Sequence, residues 1–293
     1  YRNEKPDIVF HFTIKPNIYG SFAAKLVKIR CANTISGLGF IFTKKNLLSP
    51  FVNILYRIAC GFSEKSFFHN KEDMELFISN NIIIPLKACH VNGSGINSDY
   101  FAPMKPEGKD STSRGFRLLY IGRMLWDKGL GELIEAVKIS KETFPKLTLR
   151  LVGPIDNGNP AGISMRTIQE WQSSGLLEYL GEKEDVRPFI ADSDCVILPS
   201  HREGLPRVLL EASAMQKPAI ASSIAGCRDI IKDGINGFLC PPKDSLKLAE
   251  AIIRMASLEK QNRDEMGRRG RQKVIGEFSE NRVIGLYLDA LGL

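Results

Sequence analysis

Short apolar runs alternate along this chain with segments whose apolar positions recur every three or four residues. After residue 113 the alternation is plain. "FRLLYIGR" (116–123), "KLTLRLVG" (146–153), "LLEYLG" (176–181), "DCVILPS" (194–200) and "KPAIAS" (217–222) predict strands. Between them, "GLGELIEAVKISKETF" (129–144), "ISMRTIQEWQSSG" (163–175), "EDVRPFIADS" (184–193) and "PRVLLEASAMQ" (206–216) predict helices. Strands with an unbroken apolar run are those buried on both faces, and helices between successive strands make parallel crossovers. The pattern predicts an α/β protein with a doubly wound parallel sheet.

The first half is less regular. "DIVFHF" (7–12) and "SFFHN" (66–70) predict strands, with helices over 19–29 and 71–80. That is too few strands for a domain equal to the second. Between the halves, "NGSGINSDYFAPMKPEGKDSTSRG" (92–115) is rich in Gly, Ser, Pro and charge, the composition of a hinge. From 245 onward the pattern is helical throughout. The expected organisation is a partial N-terminal domain over 1–95, a linker over 96–115, a complete Rossmann-like domain over 116–275, and a final helix over 276–293 that returns to the first domain.

A length of 293 residues, 43% hydrophobic and 25% charged, suits two domains of a soluble protein. No apolar run reaches the 18 residues that a membrane-spanning helix needs. The six cysteines, at 31, 60, 89, 195, 227 and 240, lack metal-ligand spacing and read as reduced thiols of a cytosolic protein. Charge is uneven. Residues 1–105 hold 13 Lys+Arg against 7 Asp+Glu, a net of +6, and the remainder holds 27 against 26. An anionic partner for the first half follows, as phosphorylated substrate, membrane surface or nucleic acid; a solvated basic surface is the alternative.

Two stretches carry candidate chemistry. In "HREGLPRVLLEASAMQ", Glu203 follows a strand at the carboxyl edge of the sheet, where open α/β folds bind ligands. Glu211 lies in the helix that follows, among Val208, Leu209, Leu210, Ala212 and Ala214. A buried carboxylate is costly without a polar partner, and the vicinal hydroxyls of a sugar would provide one. Alternatively Glu203 is solvated and Glu211 pairs with Arg207 one turn back. The amides of Gly204 and Leu205 lie near the helix N-terminus, where anions bind. In "YIGRMLWDKGL" (120–130), Arg123 and Lys128 follow another strand end and are suited to a diphosphate.

The combination of "GRMLWDKG", "EGLPRVLLE" with its E-x7-E spacing, and "DGINGFLCPP" (233–242) resembles the retaining glycosyltransferases of family 4. In the first half, "TIKPNIYGSFAAKL" (13–26), "SGLGF" (36–40) and "FFHNKEDMELF" (67–77) look like the subgroup that builds bacterial surface polysaccharides and lipid-linked oligosaccharides. The resemblance implies the GT-B fold, two Rossmann-like domains with parallel sheets facing across a cleft. It implies that Arg123 and Lys128 hold the diphosphate of a nucleotide sugar, most simply a UDP-sugar. Glu203 would contact the donor sugar beside Gly204 and Leu205, and Glu211 the ribose. Glu203, Arg123 and Lys128 are then the catalytic groups, acting on a leaving diphosphate with retention and without a covalent nucleophile. No metal or other cofactor is implied; the activity would be hexosyl or N-acetylhexosaminyl transfer. Relatives also carry a stretch before "KPDIVF" that supplies the first strands of the first domain. That domain is therefore expected to be truncated, so that the chain can bind donor yet transfer nothing.

Other features rank lower. "DSD" at 192–194 matches a metal-binding string, but Asp192 and Asp194 read as helix-boundary residues. "NGSGIN" (92–97) ends in Asn97 and so is no dinucleotide fingerprint; "GRRGRQK" (267–273) reads as a solvated helix face, and no nucleic-acid partner is expected. Relatives carry an H-x-H at the end of the first strand; here those positions fall on Phe10 and Phe12, and His11 is one step out of phase, which turns it to the other face. Acceptor-side candidates are His11, Lys15 and Asn17, the last two, in the loop after that strand, better placed to contact an acceptor phosphate. "LGFIFTKKNLLSPFVNILYRIACGF" (38–62), apolar and aromatic with Lys44, Lys45 and Arg57, suits an anionic bilayer and a polyprenyl-linked acceptor. The expected location is the cytoplasm, at the inner face of the cell membrane. Two further functions fit less well: a non-catalytic nucleotide-sugar-binding protein, and a GT-B-fold sugar-nucleotide epimerase.

Overall fold

A computed structural model describes residues 1–37, 49–105 and 115–293. The chain divides into two compact units, Tyr1–Gly95 with Glu280–Leu293, and Ile96–Ser279. Lys44 and Lys45, with the rest of 38–48, lie outside the described residues, as do 106–114 of the expected linker.

Unit 1 is built on four parallel strands in sequential order: β1 (Ile8–Phe12), β2 (Arg30–Ile35), β3 (Lys65–Phe68) and β4 (Ala88–His90). Helices α1 (Ser21–Val27), α2 (Ser49–Phe62) and α3 (Lys71–Ser79) connect them. Adjacent residues of a strand face opposite ways, so Phe67 and Phe68 enter two different cores. Phe68 packs edge-to-face on Phe77, beside Tyr56 and Ile35. Phe67 meets Tyr287 of α11 (Glu280–Leu291), the last helix of the chain, and the Tyr287 hydroxyl lies 3.2 Å from Thr34 Oγ1. Strand β2 was not expected, because "RCANTI" places two polar residues in its middle. Both are fully buried and bonded: Asn33 to His11 and Ser21, Thr34 through its backbone to Asn17. The helix expected over 19–29 is shorter, following a π-helical turn at Pro16–Gly20 and stopping where Lys28 adopts φ 58°.

Unit 2 holds six parallel strands: β5 (Arg117–Ile121), β6 (Thr148–Val152), β7 (Glu178–Tyr179), β8 (Cys195–Leu198), β9 (Ala219–Ser222) and β10 (Gly237–Cys240). Their order is β10-β9-β8-β5-β6-β7. From β5 the chain winds outward through β6 and β7, returns to β8 on the other side, and winds outward again. The topological switch point therefore lies between β5 and β8. The connecting helices are α4 (Leu130–Thr143), α5 (Met165–Ser173), α6 (Arg187–Asp192), α7 (Arg207–Ala214) and α8 (Ala225–Ile230), followed by α9 (Ser245–Ser257) and α10 (Lys260–Phe278). Helix α4 packs on α9, and α10 on α7 and α8. All four residues of β8 are buried, as its apolar run predicts. Strand β10 lies in a segment noted only as a motif, and helix α8 lies in one that the pattern left unassigned. Among the described residues no helix is long and apolar enough to cross a membrane.

Candidate functional site

In a parallel sheet every loop that follows a strand emerges at the same edge, and ligands settle where two such loops diverge. Here those loops are 122–129 after β5 and 199–206 after β8. Each brings one candidate charge to the switch point: Lys128 Nζ donates to Glu203 Oε1 at 2.6 Å, with both side chains largely buried. The backbone makes this approach possible. Gly129 has φ +73°, and a Cβ on it would lie 2.1 Å from the carbonyl oxygen of Pro199. Only glycine lets the two loops touch. Gly204 is held similarly, because a Cβ on Gly226 in α8 would lie 1.9 Å from its carbonyl oxygen. Leu205, beside it, packs partly into the core.

Arg123 is half exposed and pairs with Asp156 at 3.2 Å, leaving the guanidinium within reach of solvent. Its carbonyl accepts from the Tyr120 hydroxyl at 3.0 Å. Burial, with the nearby charges of Glu203 and Asp127, pushes that phenol upward, so it remains a donor. Glu211 is the carboxylate in a buried helix that the sequence singled out. Its side chain is 13% exposed and its nearest cation is Arg207, one turn back, at 3.6 Å. That separation is loose for a hydrogen bond. Burial raises the Glu211 carboxyl above its usual range, and Arg207 offsets only part of the effect. Both readings of Glu211 thus have a basis: the i, i+4 partner exists, and it leaves the carboxylate under-compensated.

The "DSD" residues stand at the other edge of the sheet. Asp192 accepts from Arg117 at 2.5 Å and from Arg150 at 2.6 Å, and Asp194 accepts from the Arg117 amide at 2.8 Å. They tie the start of β8 to β5 and β6.

In unit 1 the three acceptor-side candidates fare differently. The His11 ring is buried, with Nδ1 2.9 Å from Asn33 Oδ1 and Nε2 3.0 Å from the Tyr1 hydroxyl. A Cβ on Gly20 would lie 2.5 Å from that ring. Asn17 is fully buried, donating to the Thr34 carbonyl at 2.8 Å and accepting from the Thr34 amide at 3.3 Å. These contacts make Asn17 an anchor of the π-helical turn on β2, which corrects the expectation that it faces a phosphate. Lys15 is exposed.

Several groups were not anticipated. His201 Nε2 lies 2.9 Å from Glu132 Oε1, and the His201 amide donates to the Asp127 carbonyl at 3.0 Å. The buried Ser200 hydroxyl at the switch point, and the Nε2 atoms of His69 and His90 at the carboxyl ends of β3 and β4, find no hydrogen-bond partner among the described residues. Glu132 carried a local signal, an acid in a first helical turn; its histidine 69 residues later carried none. On unit 1, Phe51, Ile54 and Ile58 expose one face of α2, and Ile84 and Leu86 are exposed beside the end of that helix. A cavity of about 460 Å³ lies there, lined by Arg57, Ile82, Ile83 and Lys87 among others.

Residues 105–273 match the family model described as "Glycosyl transferases group 1", and residues 1–70 that described as "Glycosyl transferase 4-like". The Campylobacter jejuni N,N'-diacetylbacillosaminyl-diphospho-undecaprenol alpha-1,3-N-acetylgalactosaminyltransferase is 30% identical over 98% of this chain and 77% of its own length. An Escherichia coli UDP-Gal:alpha-D-GlcNAc-diphosphoundecaprenol alpha-1,3-galactosyltransferase is 27% identical over 98% and 76%. The crystal structure of Anabaena HepE in complex with UDP superposes with a TM-score of 0.82 at 18% identity, over 99% of this chain and 80% of that one. Sucrose-phosphate synthase from Thermosynechococcus elongatus gives 0.80 at 20% identity, over 97% and 73%. Two parallel-sheet units of this kind are the GT-B fold, and the chain belongs to the glycosyl transferases group 1 family.

Proposed function

We propose that this glycosyltransferase binds a UDP-sugar at the carboxyl edge of unit 2 and transfers the sugar, with retention, to a polyprenyl-diphosphate-linked acceptor in cell-envelope glycan assembly. The observation that carries the reading is the Lys128–Glu203 contact across the β5/β8 switch point. A cation and a carboxylate held side by side there match the two halves of a nucleotide sugar. Lys128 and Arg123 meet the diphosphate, while Glu203, beside Gly204 and Leu205, accepts from sugar hydroxyls. Glu211, short of a close partner, accepts from the ribose. As the anomeric carbon–oxygen bond breaks, charge grows on the departing diphosphate, and Lys128 and Arg123 stabilise it. The acceptor hydroxyl bonds to the anomeric carbon on the same face, and its proton passes to a leaving phosphate oxygen. No step calls for a metal.

The acceptor class is supported by the names of the Campylobacter and E. coli relatives, both diphospho-undecaprenol enzymes. It fits the basic first half of the sequence. The apolar face of α2 with Arg57 and Lys87 nearby is suited to resting on an anionic bilayer at the inner face of the cell membrane. Exposed Lys15 remains the acceptor-phosphate candidate.

Calorimetric titration of UDP tests the donor site. Micromolar binding is expected, weakened tenfold or more (about 1.4 kcal/mol) in Arg123→Ala and in Glu211→Ala. No binding of UDP by the wild-type chain, or wild-type affinity in both variants, would sink the reading.

A further inference from the structure

The loop that carries Glu203 is fastened to the neighbouring loop and to α4 at several points. One is the Lys128–Glu203 contact itself. That tie is shared once donor binds, because the three N–H donors of one ammonium then serve a diphosphate as well as Glu203. A second tie involves neither residue. His201, two positions before Glu203, donates its amide to the Asp127 carbonyl at 3.0 Å and sets its ring Nε2 2.9 Å from Glu132 Oε1. Both side chains of this pair are 23% exposed. Glu132 stands in the first turn of α4, a 14-residue helix packed on α9, whereas Glu203 lies in a segment without regular structure. A carboxylate on such a segment keeps its aim only if something rigid holds the segment.

We propose that His201 and Glu132 are positioning residues for Glu203. Their contact pins the β8–α7 loop to α4 while Lys128 also serves the diphosphate, so the Glu203 carboxylate stays where it meets the donor sugar. This rests on the reading of Glu203 as a sugar contact. The pair acts on the sugar end of the donor and leaves the nucleotide end alone, since Arg123 and Glu211 are held by other partners. It also lines a cavity of about 580 Å³ with Trp126 and Trp171, whose rings meet edge-to-face at 5.8 Å. These are the only two tryptophans in the sequence, so their emission reports on this corner.

The test compares affinities for UDP with those for UDP-glucose and UDP-N-acetylgalactosamine, the readout being the ratio of UDP-sugar to UDP affinity for whichever sugar binds tightest. Glu203→Ala is expected to remove the sugar's contribution. His201→Ala and Glu132→Ala should lose most of it while UDP affinity stays within about twofold of wild type. Glu132→Gln, which still accepts from the imidazole, should restore it. In a Glu203→Ala background, His201→Ala should change nothing further, because the brace acts only through Glu203. An unchanged ratio in His201→Ala and Glu132→Ala, with Glu203→Ala defective, overturns the brace and leaves the donor reading intact. An unchanged ratio in Glu203→Ala overturns the reading beneath it as well. Loss of UDP affinity in both alanine variants, with tryptophan emission shifted to that of the unfolded chain, shows a general structural role and also overturns it.

Discussion

Replacing Gly129 by alanine separates two effects that the switch point combines. The first is conformational: φ +73° is unfavourable for any residue with a Cβ, by about 1–2 kcal/mol. The second is contact. The new Cβ would sit 2.1 Å from the Pro199 oxygen where ordinary van der Waals contact begins at 3.4 Å, so 3.4 − 2.1, about 1.3 Å, must be found by parting the loops that carry Lys128 and Glu203. Overpacking of this kind adds about 1–3 kcal/mol. Gly175 is the matched control, with φ +72° and nothing within 4 Å of its would-be Cβ. Gly175→Ala should lose only the conformational share and bind UDP like the wild type. Gly129→Ala should be less stable than that control, and a displacement of about 1 Å at the site should weaken UDP binding by tenfold or more. Urea unfolding and calorimetry on the two variants decide it. Equal stabilities, or UDP affinity within about twofold of wild type, would refute the claim that close approach of these loops builds the site.

Three other outcomes follow from the same geometry. Burial raises the Glu211 carboxyl, so the folded state holds its proton more tightly than the unfolded chain, and the penalty of ionising it is fully present above the raised value. Glu211→Gln should therefore raise the melting temperature at pH 7 and weaken UDP binding; a variant both less stable and fully binding would contradict the assignment. His69 runs the opposite way: burial, then His90, lowers it from 6.5 to about 4, so its contribution to stability is present above pH 6.5 and is lost as pH falls toward 4. That loss amounts to about 3 kcal/mol in the limit, and His69→Gln should flatten the melting temperature against pH over this window, which differential scanning would detect. Phe51→Glu with Ile54→Glu, on the exposed face of α2, should abolish sedimentation with phosphatidylglycerol vesicles and leave UDP binding untouched; unchanged sedimentation would remove the membrane role of that face.

What the sequence made legible, and what it hid, divides by distance along the chain. The loops after β5 and β8 could be read directly, because each follows an unbroken apolar strand and contains turn residues, Gly122 in one and Gly204 in the other. Glu211 was legible as an anomaly, a charge among apolar neighbours, and the structure locates its difficulty in a partner held 3.6 Å away. Strand β2 was hidden by Asn33 and Thr34, whose burial depends on Asn17, Ser21 and His11, partners that no local pattern announces. His11 illustrates the same limit: its phase relative to Phe10 and Phe12 is local information, but the contacts of its ring with Tyr1, Gly20 and Asn33 depend on the fold.

The largest gap is at the switch point itself. Lys128 and Glu203 are 75 residues apart, and Glu132 and His201 are 69 apart. Each pair meets because β8 returns to lie beside β5 instead of extending the sheet beyond β7. Strand order of this kind follows from crossover handedness and from which faces the helices must cover, properties of the whole sheet. The candidate chemistry was therefore readable as two separate charged loops, while its arrangement into one candidate site depends on the return crossover. Glycine records that dependence in the sequence: Gly129 is needed because Pro199, just past the end of another strand, lies against it.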